Sequence, residues 1–265
     1  MMALILLLLA ALAYQILALV SLWRFFKKPL SRLASADSPG ITIFKPVKGL
    51  APESRECLES FLTLDYQPYQ VLFGVSDPAD PAWPLLESLC QAAPPGRVQA
   101  VLCPETWGHN PKVSTLRQLE PLARYNLLVV ADGDVKVSPD FLDRVAAAFR
   151  EPQVGLVSCP YRAGPADSLG SWLEALSISA DFIPSVAVAQ YVEGIRFALG
   201  ATMAVTRTAL AQIGGFAALA DYLADDYQLG WRIHQAGFEV RLLPYVVETV
   251  NPRMRLKDYL SHQLR

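Results

Sequence analysis

From Ala3 to Trp23 the chain carries no charged side chain, and its only clearly polar interruptions are Gln15 and Ser21. A run of about 20 such residues is the length of a helix that crosses a bilayer. In hydrocarbon, a single spanning segment must satisfy its backbone hydrogen bonds internally, which leaves only the helix. Everything downstream therefore has to fold beside a membrane. A cleaved signal peptide has a basic leader and a shorter apolar stretch. No Lys or Arg precedes this run, so residues 1–23 are expected to be a retained anchor. Arg24, Lys27, Lys28 and Arg32 follow it directly. By the positive-inside rule the N-terminus lies outside and the rest of the chain in the cytosol.

Composition narrows the remainder. The 265 residues allow one large domain or two small ones. The hydrophobic fraction is 52% and the mean hydropathy +0.27, and much of that excess sits in the anchor. A net charge of −2 supplies no basic field, which excludes a nucleic-acid partner. The cysteines Cys57, Cys90, Cys103 and Cys159 are scattered and form no C-x-x-C pair. They read as buried free thiols in a reducing compartment rather than as a zinc site.

After a basic and polar linker over 24–40, strand and helix patterns alternate. Strands are expected at 41–44, 69–75, 98–102 and 127–131, with helices at 53–64, 83–92 and 112–124 between them. That alternation predicts an α/β fold with a mainly parallel, doubly wound sheet. The second half is less regular. Helices are expected at 140–149, 208–213 and 220–236, and strands at 154–160, 197–205 and 238–243. Gly200 is read as admitting a close backbone approach. The apolar stretch 168–189, with Trp172 and Phe182, is read either as core or as the lining of a lipid groove. The final residues, 253–265, have the pattern of a basic amphipathic helix suited to a membrane surface.

The strand at 127–131 stops at Asp132-Gly133-Asp134. In an open α/β sheet, ligands bind beyond the carboxyl ends of the strands. Two carboxylates there, with a glycine permitting a sharp turn, could hold a divalent cation such as Mg²⁺ against substrate phosphates. Taken alone, the same triplet is an ordinary turn. Its companions strengthen the first reading. Asp77 also follows a strand, Asp225 and Asp226 open a helix, and Lys112 opens another just ahead of the Asp-Gly-Asp strand. Each has a plain alternative: a proline-flanked turn for Asp77, a dipole-favoured first turn for Asp225 and Asp226, and a solvated lysine for Lys112.

Lys45-Pro46-Val47-Lys48-Gly49, Leu64-Asp65-Tyr66-Gln67-Pro68-Tyr69, Asn110-Pro111-Lys112, Asp132-Gly133-Asp134 and Ala224-Asp225-Asp226-Tyr227 together resemble processive-type inverting glycosyltransferases. The nearest resemblance is to the ceramide glucosyltransferase family, family 21, including the bacterial branch that glycosylates hopanoids. It spans roughly Ile41 to Arg265. The resemblance implies a GT-A catalytic domain over 41–252, a UDP-sugar donor, a membrane lipid acceptor, Mg²⁺ or Mn²⁺ as cofactor, and work at the cytosolic face of a bacterial inner membrane. It also implies residue roles. Asp77 contacts the nucleotide base, Asp132 and Asp134 hold the metal and diphosphate, and Asp226 is the general base with Asp225 as second choice. Lys45 and Lys112 join Asp132 on the nucleotide sugar. The family's terminal signature is Gln or Arg, two variable residues, Arg, then Trp. Here His262 takes the first position among the donor contacts and Arg265 the second, where it assists the leaving group. The expectation is a protein that runs on past Arg265 into that Trp and further membrane helices.

Two other functions share these features: a polysaccharide synthase of the same fold, which would need several membrane helices for a channel, and a non-catalytic membrane scaffold. The sugar, glucose or N-acetylglucosamine, and the acceptor, ceramide-like or hopanoid, are not separable on these residues.

Overall fold

A computed structural model of the chain describes residues 1–29 and 38–263. Helix α1 runs over Met2–Phe26, three residues beyond the expected anchor. Most of the remaining linker, residues 30–37, lies outside the described residues.

The body of the chain is built on a seven-stranded sheet with the order β3-β2-β1-β4-β8-β6-β9. These strands are β1 (Ile41–Pro46), β2 (Tyr69–Val75), β3 (Val98–Leu102), β4 (Leu127–Ala131), β6 (Val154–Ser158), β8 (Thr202–Thr206) and β9 (Glu239–Leu242). Strands β1 to β4 are parallel, as is the β6–β9 pair, while β8 runs antiparallel to both of its neighbours. Strands covered on both faces read as continuous apolar runs. Accordingly β2 and β4 are buried at every position. Alternate residues feed two cores, one containing Ile43, Phe73 and Val129, the other Phe44, Leu72 and Val130.

Helices α2 (Ser54–Ser60), α3 (Trp83–Ala92), α4 (Pro111–Leu119) and α5 (Phe141–Ala148) occupy the expected intervals, with shorter ends for α2, α4 and α5. Helix α4 begins where it does because Asn110 accepts a hydrogen bond from the Val113 N–H and Pro111 takes the first helical position. The strand expected at 197–205 is confined to Thr202–Thr206, and α8 (Arg207–Gln212) and α9 (Asp225–Gln235) follow. The helix expected from 220 starts five residues later because a short 3-10 turn, Phe216–Leu219, and an irregular segment come first.

Two features were not anticipated. A small second sheet, β5-β10-β7, joins β5 (Val135–Lys136), β7 (Tyr161–Ala163) and β10 (Val247–Thr249). These strands are too short to show an alternating pattern. The apolar stretch 168–189 is helical, as α6 (Leu169–Ser177) and α7 (Ile183–Val192) with a π turn, Ile178–Phe182, between them. Pro184 accounts for the irregularity. It has no N–H to give to the carbonyl four residues back, and its ring crowds that carbonyl. Helix α10 (Leu256–Gln263) closes the described chain against α6.

Candidate active site

The order β3-β2-β1-β4 means that the chain winds outward from β1 and then returns to lay β4 on its other side. That reversal makes the carboxyl ends of β1 and β4 the topological switch point of the sheet, where an open α/β fold leaves its crevice. Asp132 sits there at the end of β4. A cleft of about 500 Å³ opens in front of it, lined by Asp132, Asp134, Tyr161, Glu174, Gly200 and Asp226 among others. The structure thus brings four polar elements to one cavity: the end of β4, β7, α6 and the start of α9.

The Asp132-Gly133-Asp134 turn is held from beneath. Lys45, near the end of β1, has no exposed surface. Its ammonium donates to the carbonyl oxygens of Asp132 at 2.7 Å and Val135 at 3.3 Å, and lies 4.0 Å from the centre of the Phe61 ring. Burial brings its pKa down to about 7, against the pull of Cys57, Asp134 and Asp132. Lys45 was expected among the donor contacts; it is instead enclosed under the turn, because its place in β1 points it inward. Gly133 also departs from its expected reason. It is not among the positive-φ glycines. A side chain there would come within 3.2 Å of the Pro46 carbonyl, so what the position requires is close approach.

Lys112 stands at the first turn of α4, with its ammonium 2.6 Å from Asp132 Oδ1 and 3.8 Å from Asp225 Oδ2. Burial disfavours that charge, but the Asp132, Asp225 and Asp226 carboxylates outweigh it and push the lysine pKa up. Burial likewise pushes the Asp132 carboxyl above the usual carboxylate range, and Lys112 offsets this only in part.

The two acids of α9 occupy different settings. Asp225 is buried and accepts from Asn110 Nδ2 at 3.2 Å. Asp226 faces the cleft, accepts from the Tyr227 N–H at 2.7 Å, and has its pKa raised mainly by burial. Gly200 is what lets it stand there: a Cβ on Gly200 would lie 2.8 Å from Asp226 Oδ2. The group that makes the close approach read from sequence at Gly200 is therefore this carboxylate. Gly200→Ala is expected to lower turnover roughly 10- to 100-fold by displacing that carboxylate, with little change in donor KM. Steady-state kinetics on both substrates would check this.

Asp77 is exposed beyond β2, where it accepts the Ala79 N–H at 2.8 Å, and it does not line the cleft. Its neighbour Asp80 fastens the Gly49 N–H with both carboxylate oxygens. The backbone of His262 belongs to α10, and Arg265 lies outside the described residues. Of the cysteines, Cys57, Cys103 and Cys159 are buried free thiols as expected, whereas Cys90 is only half-buried.

Sequence reasoning gave no role to three residues, although it quoted Asn110 in a motif. Asn110 caps α4, donates to the Tyr222 carbonyl at 2.8 Å and contacts Asp225, so it ties the helix of Lys112 to the helix of Asp226. An Asn immediately before Pro was the available signal. Tyr161 and Glu174 line the cleft; Glu174 is the single charged residue of α6.

Asp132 and Asp134 bring two carboxylates to the cleft, and among the described residues no group of three or more His, Cys, Asp or Glu is placed to hold a metal ion by itself. That donor set fits Mg²⁺ or Mn²⁺, which take one or two carboxylates and complete their shell with substrate phosphates and water.

A mainly parallel sheet with an Asp-x-Asp turn at its switch point and a small flanking sheet defines the GT-A glycosyltransferase fold. Solved structures share it. A mannosyltransferase from Pyrobaculum calidifontis, in complex with GDP-Man and Mn²⁺, aligns with a TM-score of 0.66 and 22% identity over 96% of this chain and 73% of its own. GalNAc-T7 with UDP, GalNAc and Mn²⁺ aligns with a TM-score of 0.61 and 9% identity, over 83% of this chain and 44% of its own. Residues 3–265 match the model of glycosyl transferase family 21, and the chain belongs to that family. Among similar proteins, ceramide glucosyltransferase 1 of Caenorhabditis elegans is 25% identical over 191 residues, 71% of this chain and 41% of that protein. A ceramide glucosyltransferase of Candida albicans is 35% identical over 116 residues, 39% of this chain and 21% of that protein. The chain thus spans less than half the length of either relative.

Proposed function

We propose that this chain is the catalytic part of a membrane-bound inverting glycosyltransferase that moves glucose or N-acetylglucosamine from a UDP-sugar to the hydroxyl of a membrane lipid, ceramide-like or hopanoid. The observation that carries the reading is the shared cleft of Asp226, Asp132 and Asp134, with the acid best placed to act as a base set apart from the pair suited to a diphosphate. The family relationship supports the donor and acceptor classes, and the apolar helix α1 supports the membrane setting.

In this mechanism the Asp226 carboxylate takes the proton of the acceptor hydroxyl as that oxygen bonds to the anomeric carbon. The bond to the diphosphate oxygen breaks on the opposite face, so configuration inverts. Lys112 places a positive charge beside Asp132 at the diphosphate end. When bound, a divalent cation held by Asp132 and Asp134 supplies further neutralisation of the leaving diphosphate. Lys45 does not touch substrate; it keeps the turn in place. By the family relationship alone, Asp77 is assigned to the nucleotide base, His262 to the donor and Arg265 to assistance of the leaving group.

The reading is tested by assaying membranes that contain the protein with a panel of UDP-sugars and lipid alcohols, with and without EDTA. A lipid carrying one added sugar, lost on chelation and restored by Mg²⁺ or Mn²⁺, is the expected product. No lipid-linked sugar from any donor would overturn the proposal, and a polymer would reassign it to a synthase.

A further inference from the structure

Helices α6 and α7, continuous through their π turn, form an apolar rod over Leu169–Val192, whose most apolar 18-residue window has a mean hydropathy of 1.3 and is only 17% buried. By length and composition the rod could cross a bilayer, yet both of its ends are fastened to the catalytic body. At the start, Ser168 Oγ donates to the Met254 carbonyl at 2.9 Å and accepts from the Met254 N–H at 3.0 Å. At the far end the chain returns directly to Ala198 and Leu199, which are buried in the domain. A segment attached at both ends to one body stays on one side of a membrane.

Helix α1 fixes how deep the rod sits. Tyr14 and Ser185 share a hydrogen bond of 2.9 Å between their hydroxyls, and Arg24 donates to the Tyr191 hydroxyl at 2.7 Å. The buried residues of α1 are Ala18, Ser21 and Phe25, all in this second half. Roughly a dozen helical residues precede Tyr14, which is about 18 Å of helix. The hydrocarbon core of a bilayer is about 30 Å thick. The free half of α1 is therefore too short to cross on its own. For α1 to span, hydrocarbon must extend past Tyr14 to the neighbourhood of Arg24, and it then surrounds the outer face of whatever packs on that half.

We propose that the α6–α7 rod is a second membrane-seated element, immersed lengthwise from the catalytic side without crossing, with its partner the acyl chains of the bilayer. The proposal rests on the reading that α1 is inserted. The apolar side chains agree with it, while the exposed Asp181 of the π turn has to reach headgroups or water. Leu169, Trp172 and Leu176 form an exposed stripe on α6, and Phe182 and Val192 are exposed farther along. The Tyr14–Ser185 bond meets the need of two hydroxyls placed in hydrocarbon, and Arg24 with Tyr191 suits the headgroup level. The consequence for the reaction is direct. On the face of α6 away from the stripe, Glu174 and Ile178 line the catalytic cleft, so a single helix, about 10 Å across, divides the cleft from lipid.

The test reconstitutes the full chain in phosphatidylcholine–phosphatidylglycerol vesicles doped with a phospholipid carrying a mid-chain diazirine, followed by irradiation and peptide mapping. Adducts are expected on Met2–Trp23 and, at comparable yield, on the segment containing Phe182 and Val192, with labelling of α3 lost to background. Adducts on α1 with none on the rod would overturn this inference and leave the anchor standing. No adducts on α1 would overturn the anchor and the inference together.

Discussion

Asp226→Asn is expected to lower turnover by about 10² to 10⁴-fold, the usual contribution of a general base, while leaving donor binding intact. The amide keeps the shape of the side chain and still accepts the Tyr227 N–H, so the start of α9 should not move. Donor-induced thermal stabilisation should therefore match the wild type while product formation collapses. The pH profile carries the second half of the prediction. Burial holds the Asp226 pKa above the usual carboxylate range, so the base is lost as pH falls through that raised value, and the acid limb of the wild-type profile should sit correspondingly high. Any residual activity of the variant should lack that limb. Stability should change in the opposite sense to activity. An acid whose folded pKa is raised makes no difference below its unfolded value and weakens the fold above its folded value. The asparagine variant should thus melt higher than wild type at neutral pH, with the advantage fading as pH falls through that window. Near-normal turnover in Asp226→Asn, or a comparable collapse seen only in Asp225→Asn, would sink the assignment.

That division between the two acids was legible only in part from the sequence. Ala224-Asp225-Asp226-Tyr227 marked a helix start, but which acid looked into the cleft depended on rotation about the helix axis and on Asn110, a residue more than a hundred positions away. The parallel strands were plain because β2 and β4, covered on both faces, leave continuous apolar runs with clear ends. The antiparallel placement of β8 was not, since its pairing with β4 and β6 is long-range and leaves no local mark. Lys45 was misplaced for a related reason. A lysine beside a glycine-containing loop looks like a phosphate ligand, and only its burial and its bonds to the Asp132 and Val135 carbonyls show that it lies under the turn. The strands β5, β7 and β10 carry too few residues for any period to appear.

Lys45→Ala should be among the most destabilising single substitutions in the catalytic body. It removes the long stem of a fully buried side chain and strips one donor from each of the carbonyls of Asp132 and Val135. Cavity formation and lost hydrogen bonding together suggest a cost of about 3–5 kcal/mol, or roughly 10 °C in melting temperature for a domain of this size. Lys45→Met separates the two causes, since it refills the stem and omits only the donor; about 1–3 kcal/mol should remain. The remaining cost should also depend on pH in a defined direction. With the folded pKa lowered to about 7 from 10.5, the unfolded chain holds the extra proton between those values, so wild-type stability rises with pH across that window. The gap between wild type and Lys45→Met should therefore widen from pH 7 upward. Function should follow the geometry of the turn: with Asp132 less firmly held, the methionine variant should need more divalent cation for half-maximal activity while its acceptor KM stays near the wild-type value. A methionine variant whose melting point and metal requirement both equal those of wild type would show that the Asp132-Gly133-Asp134 turn holds itself, and that the buried ammonium is dispensable to it.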